Sequence, residues 1–70
     1  EKDGSYPIAF NAANEVAVQA FIDGKIGFTQ IAECVGKVLH QNDWSALPKN
    51  LSDVLEADKD ARKKAENLIR

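Results

Sequence analysis

The side chains able to act as a general base or nucleophile near neutral pH are few: His40 is the one histidine and Cys34 the one cysteine. No acidic residue or nucleophile is spaced to work with His40. Its place near the end of a helical segment suits a cation at a helix C-terminus better. A lone Cys34 within a helical pattern reads as a small buried hydrophobe in a reducing compartment, and it excludes an internal disulfide. With no Cys/His cluster, a structural zinc site is excluded too. Asn11, Asn14 and Glu15 share one helical face and carry donor atoms that suit a metal or a substrate. In an apolar setting their plainer reading is polar contact inside a bundle or to a neighbouring domain. Asp58 and Arg62 stand one turn apart on an apolar stripe. A buried carboxylate needs partners, which an Asp58–Arg62 pair would supply; a rim position is equally open. No catalytic, cofactor-binding or metal-binding residue is assigned, and Asn11, Asn14, Glu15, Asp58 and Arg62 are read as structural polar contacts. The four glycines are scattered, so no phosphate-cradling loop is present.

The elements that carry these residues are helical. Ser5 is a candidate N-cap, and Pro7 suits a first turn, where its missing N–H costs nothing. The run Ile8 to Ile22 follows, and Asp23-Gly24 ends it with a glycine able to take the left-handed conformation. The polar residues Asn11, Asn14, Glu15 and Gln19 form one stripe and the rest is apolar, five alanines included. A helix apolar around most of its circumference is covered on several sides, so this is the central element. Thr29 is a candidate cap for a second helix, in which Ile31, Val35, Val38 and Leu39 make an amphipathic stripe. Gly36 within it marks either a close helix contact or an indifferent surface position. Residues 41–49 form a loop that tucks Trp44 and Leu47 onto the bundle, with Trp44 supplying buried area rather than a ligand platform. Asn50 to Asp53 resembles a capping box. In the third helix, Leu51, Val54, Leu55, Ala61, Ala65, Leu68 and Ile69 share a face. Nothing alternates with period two. The fold class is therefore all-α, with helices at about 6–23, 29–40 and 51–69 and residues 1–4 as the stump of a preceding helix or linker.

The chain has 70 residues, which allows one small domain. Such a domain buries only about 60% of the surface of its unfolded chain, so it rests on helix packing or leans on something larger. The absence of methionine and the start at Glu1 suggest a piece of a longer protein. A formal net charge of −2 argues against a nucleic-acid module. The Arg62-Lys63-Lys64 run, flanked by acidic residues, reads as a solvated helix face. No apolar stretch approaches the length needed to cross a bilayer, and no signal peptide is visible.

The segment Phe10-Asn-Ala-Ala-Asn-Glu-Val-Ala-Val-Gln-Ala-Phe21, followed by Gly24-Lys-Ile-Gly-Phe-Thr-Gln-Ile-Ala32, resembles the C-terminal region of the 1-deoxy-D-xylulose 5-phosphate reductoisomerases. Val54-Leu-Glu-Ala-Asp-Lys-Asp-Ala-Arg62 is similar to the family's segment near the chain end. The resemblance covers residues 5–66, with 41–49 weakest. It implies a C-terminal helical bundle of four helices, the first preceding Glu1. It also implies a parent with an NADPH-binding domain, a catalytic domain and usually a homodimeric assembly. Such a parent converts 1-deoxy-D-xylulose 5-phosphate to 2-C-methyl-D-erythritol 4-phosphate in the non-mevalonate isoprenoid pathway, with Mg²⁺ or Mn²⁺ as Lewis acid. The family's metal carboxylates and phosphate ligands lie upstream of the bundle and none maps here, so this stretch alone is expected to be inactive. The expected partners are the upstream catalytic domain and a second copy through exposed apolar faces, with no nucleic acid and no membrane. The expected location is the bacterial cytoplasm, or a plastid in a eukaryote. The alternative is an independent helical interaction module with a chance likeness.

Overall fold

The computed structural model describes residues 4–41 and 43–69. They form three helices, α1 (Tyr6–Ile22), α2 (Phe28–Gln41) and α3 (Leu51–Ile69), with no strand among the described residues. The all-α class read from the sequence holds. The stump assigned to residues 1–4 falls outside the described residues except at Gly4, which lies in a turn.

Helix α1 is the axis of the fold: it packs against both α2 and α3. Its inward side is a seam of alanines, Ala9, Ala12, Ala13, Ala17 and Ala20, all buried. Ala61 and Ala65 of α3 are fully buried in the same core, beside Val35, Val38 and Cys34 of α2. Small side chains on facing helices allow the backbones to approach closely, and an alanine loses no rotamer freedom on burial. Ser5 meets Ala46 ahead of α3, and Glu15 meets Arg62 in its interior, so α1 and α3 run parallel. The edge-on contact of Phe21 with Phe28, ring centres 5.8 Å apart, sits at the α1–α2 turn, and α2 runs back antiparallel to α1. The body is flat, with extents of 37 × 22 × 15 Å. Phe10 and Ile22 of α1 are 52% and 68% exposed, so part of its apolar surface has no covering layer.

The ends of the helices follow local chemistry, with corrections to the sequence reading. Helix α1 closes in a Schellman motif: Lys25 N–H donates to the Ala20 carbonyl, Gly24 N–H donates to Phe21, and Gly24 has φ +81°. Ser5 occupies the N-cap position but makes no side-chain cap bond; its hydroxyl donates instead to the Ala46 carbonyl at 2.9 Å. Helix α2 starts at Phe28, so Thr29 lies inside its first turn rather than capping it. Gly27 takes the cap position, and Gln30 reaches back to accept from the Gly27 N–H at 2.6 Å, one half of a capping box. For α3 the Asn50 side chain accepts from the Asp53 N–H at 2.9 Å, and Asp53 reaches one residue further back, to the Lys49 N–H.

Four hydrophobic assignments divide. Trp44 is buried, and its indole N–H donates to the Val38 carbonyl, one of the acceptors that the end of α2 leaves unpaired. Leu47, expected to tuck in beside it, is 68% exposed. Leu51 and Leu55, expected on the core face of α3, are 71% and 59% exposed. At about 3.6 residues per turn they lie on the side of α3 that carries Arg62, turned from the buried side of Ala61 and Ala65. Gly36 faces open space, which removes the close-contact reading.

Candidate functional site

The structure brings three of the five singled-out polar residues together across the α1–α3 contact. Arg62 stands on α3 one turn after Asp58. Its Nε donates to Asp58 Oδ2 at 2.9 Å and its Nη2 donates to Glu15 Oε1 at 2.5 Å. One guanidinium thus ties its own helix to α1. Asn11 lies a turn before Glu15, its amide 3.5 Å from Glu15 Oε2, at the outer limit of a hydrogen bond. Asn14 lines a shallow concavity between α1 and α3 together with Gln19, Asp23, Glu66 and Ile69.

The cluster is a rim, not a core. The Arg62, Asp58 and Glu15 side chains keep 38%, 34% and 53% of their surface exposed. The core-facing placement of Asp58 and Arg62 gives way to its alternative. The periodicity put them beside the stripe that Ala61 and Ala65 complete; long side chains at the edge of such a stripe turn their charged ends to water. The hydrogen bonds to Asp58 and then to Glu15 hold the Arg62 guanidinium above its already high ordinary pKa. No buried side-chain nitrogen or oxygen lacks a partner among the described residues.

Reactivity elsewhere is low. Cys34 is buried, its Sγ 3.8 Å from the Ala65 carbonyl, and burial pushes the thiol above its ordinary value of 9.0 against a smaller opposing pull from Lys37. His40 is exposed in the last turn of α2. Asp43 accepts from Ser45, which holds its carboxyl below the usual range. Sequence reasoning missed the Lys64–Asp60 bridge at 3.0 Å, although its i,i+4 spacing was a signal. It also missed the return of Gln30 to Gly27, signalled by a glutamine three residues after a cap-type glycine.

These residues do not fit the metal or the nucleotide that the family resemblance implies. Glu15 and Asp58 are both committed to a guanidinium, whose positive charge opposes a second cation in the same place. Among the described residues no group of three or more His, Cys, Asp or Glu side chains is arranged to hold a metal ion. The first turn of α1 carries Pro7, which has no N–H to offer a phosphate. No helix is long and apolar enough to cross a membrane, among the described residues.

A family model described as the DXP reductoisomerase C-terminal domain matches residues 1–64. A 1-deoxy-D-xylulose 5-phosphate reductoisomerase of Mycolicibacterium smegmatis is 44% identical over 99% of the chain, which covers 18% of that relative. Proteins of the same name from Treponema denticola and Chlorobium limicola are 51% and 49% identical over 87% and 93% of the chain, covering 16% and 17% of their own lengths. The chain therefore spans less than a fifth of these curated relatives. Identity at this level along nearly the whole chain sets aside a chance likeness. With an alanine-seamed helix carrying the Asn-Ala-Ala-Asn-Glu run and an α3 bound to it through Arg62, the chain belongs to the DXP reductoisomerase C-terminal domain family.

Proposed function

We propose that the chain serves as the non-catalytic helical domain of a reductoisomerase that converts 1-deoxy-D-xylulose 5-phosphate to 2-C-methyl-D-erythritol 4-phosphate. NADPH supplies the hydride and a divalent metal polarises the carbonyl, both held by parts of the enzyme upstream of Glu1. The observation that carries this reading is the match of residues 1–64 to the C-terminal domain alone. The role of the bundle is to brace the catalytic part. Phe10, Phe21 and Ile22 on the outer side of α1 are 52%, 41% and 68% exposed and offer the contact surface; a further helix from the preceding chain would cover it. Asn11 and Asn14 lie beside that surface and supply amides to the contact, while Glu15, Asp58 and Arg62 fix the α1–α3 angle. Homodimer formation and a location in the bacterial cytoplasm, or in a plastid, follow from the same reading.

The test is the sequence upstream of Glu1 together with the assay it permits. The reading requires a nucleotide-binding domain and an acidic metal site there, and NADPH-dependent reductoisomerase activity in the extended chain. The 70-residue chain alone is expected to bind no NADPH. A saturable change in Trp44 fluorescence at micromolar NADPH would contradict the assignment of the cofactor site to the upstream part.

A further inference from the structure

Ser5, where the chain enters the bundle, is the one polar residue buried among the described residues. Each of its polar groups is committed. Its N–H donates to the Trp44 carbonyl at 2.7 Å, and its hydroxyl donates to the Ala46 carbonyl at 2.9 Å. Its own carbonyl accepts from the Ala9 N–H at 2.9 Å. The hydroxyl is thus spent on the loop and not on the side-chain cap that its position invites. The loop is anchored in turn. Trp44 belongs to the buried core, and its indole N–H donates to the Val38 carbonyl in α2 at 3.2 Å. Gly4, at φ +49°, lies against the same stretch. An added Cβ there would run into the Ser45 carbonyl and stand 2.7 Å from that of Trp44, so conformation and space both call for glycine. The entry point is therefore tied to α1 through Ala9, to α2 through Trp44 and Val38, and to the connection into α3 through Ala46. These bonds are buried or half-buried, and breaking one in place leaves a donor or acceptor unpaired.

We propose that Gly4–Ser5 is a fixed joint, with Ser5 and Trp44 as its positioning residues. It sets the direction in which the preceding part of the chain meets the bundle, and the bundle holds that direction by itself, before anything upstream docks on it. The use of the joint rests on the proposed function and deepens it. A bundle that braces a catalytic part must meet it in one orientation, and a preset joint spares that contact the entropy cost of ordering a swivel. The joint also places the entry of the chain on the core through Trp44, so the brace acts on all three helices and not on the end of α1 alone.

Residual dipolar couplings in the 70-residue chain read this direction without reference to the rest of an enzyme. The Gly4 Cα–H and Ser5 N–H couplings are expected to fit the alignment tensor of α1, α2 and α3 at full magnitude. Ser5→Ala removes the tie to Ala46 and is expected to lower the Gly4 couplings while the three helices keep one common tensor. Ser5→Thr keeps the hydroxyl and is expected to restore them. Wild-type Gly4 couplings averaged toward zero beside ordered helices would overturn the proposal without any variant. So would a Ser5→Ala chain that melts earlier but keeps full Gly4 couplings, since Ser5 would then stabilise and not position. Failure of Ser5→Thr to restore the couplings would remove the hydroxyl as the tie. None of these outcomes touches the family reading, and an upstream sequence of another kind would leave the couplings as they are.

Discussion

Replacing Arg62 by alanine is the sharpest perturbation of the α1–α3 contact. It removes the ion pairs to Glu15 and Asp58 and leaves the two carboxylates near each other with no cation between them. All three side chains are a third or more exposed, so the exposed-pair scale applies: about 0.2–1 kcal/mol for the interhelical pair and about 0.3–0.5 kcal/mol for the i,i+4 pair. The part of the Arg62 side chain that is out of water adds about a few tenths of a kcal/mol. A loss of about 1 kcal/mol results, equivalent to about 4–8 °C in Tm for a domain of this size. Thermal and urea melts at low salt and at 1 M NaCl read it. At about 3 Å the Debye length in 1 M salt is comparable with the pair distances, so the difference between wild type and Arg62→Ala should shrink by about half there. A double-mutant cycle with Glu15→Ala should return a coupling of about 0.5 kcal/mol. A loss above 3 kcal/mol that ignores salt would place the triad in a desolvated core and refute the rim assignment. No loss at all would mean that the alanine seam alone fixes the helix angle.

Other consequences follow from burial. Cys34 should react with a thiol reagent only as fast as the chain opens. The folded state keeps the thiol protonated where the unfolded state has lost its proton. Its contribution is therefore complete below pH 9.0 and declines as pH rises through the window above 9.0; comparing urea midpoints of wild type and Cys34→Ala across that range isolates it. Gly36→Ala should raise stability by up to about 1 kcal/mol, because the new Cβ meets open space in a helix interior, and a lower Tm would show a contact that the fold does not display. Phe10→Ser should change the isolated 70-residue chain by less than about 0.5 kcal/mol but cost about 1–3 kcal/mol in a longer chain that covers the outer side of α1. Equal effects in the two settings would count against a covered face.

The parts of this fold that the sequence made legible are those decided within a few residues. Asp23-Gly24 ends α1 because a left-handed residue must follow its last turn, and Val35 and Val38 face inward because their stripe is narrow and unbroken. The parts that stayed hidden depend on what lies across from a residue. Leu51 and Leu55 were grouped with Ala61 and Ala65 on a face drawn too wide: at about 3.6 residues per turn they flank the direction of Arg62, turned away from the two buried alanines. The error lay in the width allowed to the stripe, since the side that meets α1 is the narrower one that Ala61 and Ala65 occupy. For Arg62 the hidden part lies across the contact. Its spacing from Asp58 announced the local bridge, but no pattern in the chain told that Glu15, 47 residues away, would share the guanidinium. Ser5 was legible as a helix start and not as a tie to Ala46, since both uses suit a hydroxyl at that place.

The distribution of large and small residues on α1 explains why a chain so short relies on rim contacts. All five alanines of the helix point inward, and Phe10, Phe21 and Ile22 point outward. An alanine seam lets backbones approach at no cost in rotamer entropy, but each alanine removes little apolar area from water. Val38 is the one large side chain buried to less than 2% of its surface among the described residues. Apolar burial contributes about 25 cal/mol per Å², so the half-exposed Phe10 and the exposed Ile22 leave part of the apolar area of α1 in water, while Phe21 is partly covered by Phe28 of α2. Specificity of packing therefore comes from the seam and its polar ties, through Arg62 at mid-helix and through Ser5 and Trp44 at the end. The seam that orders the packing and the larger apolar residues of α1 thus lie on different parts of one helix, with Phe10 and Ile22 left to water and Phe21 at the edge of the α2 contact.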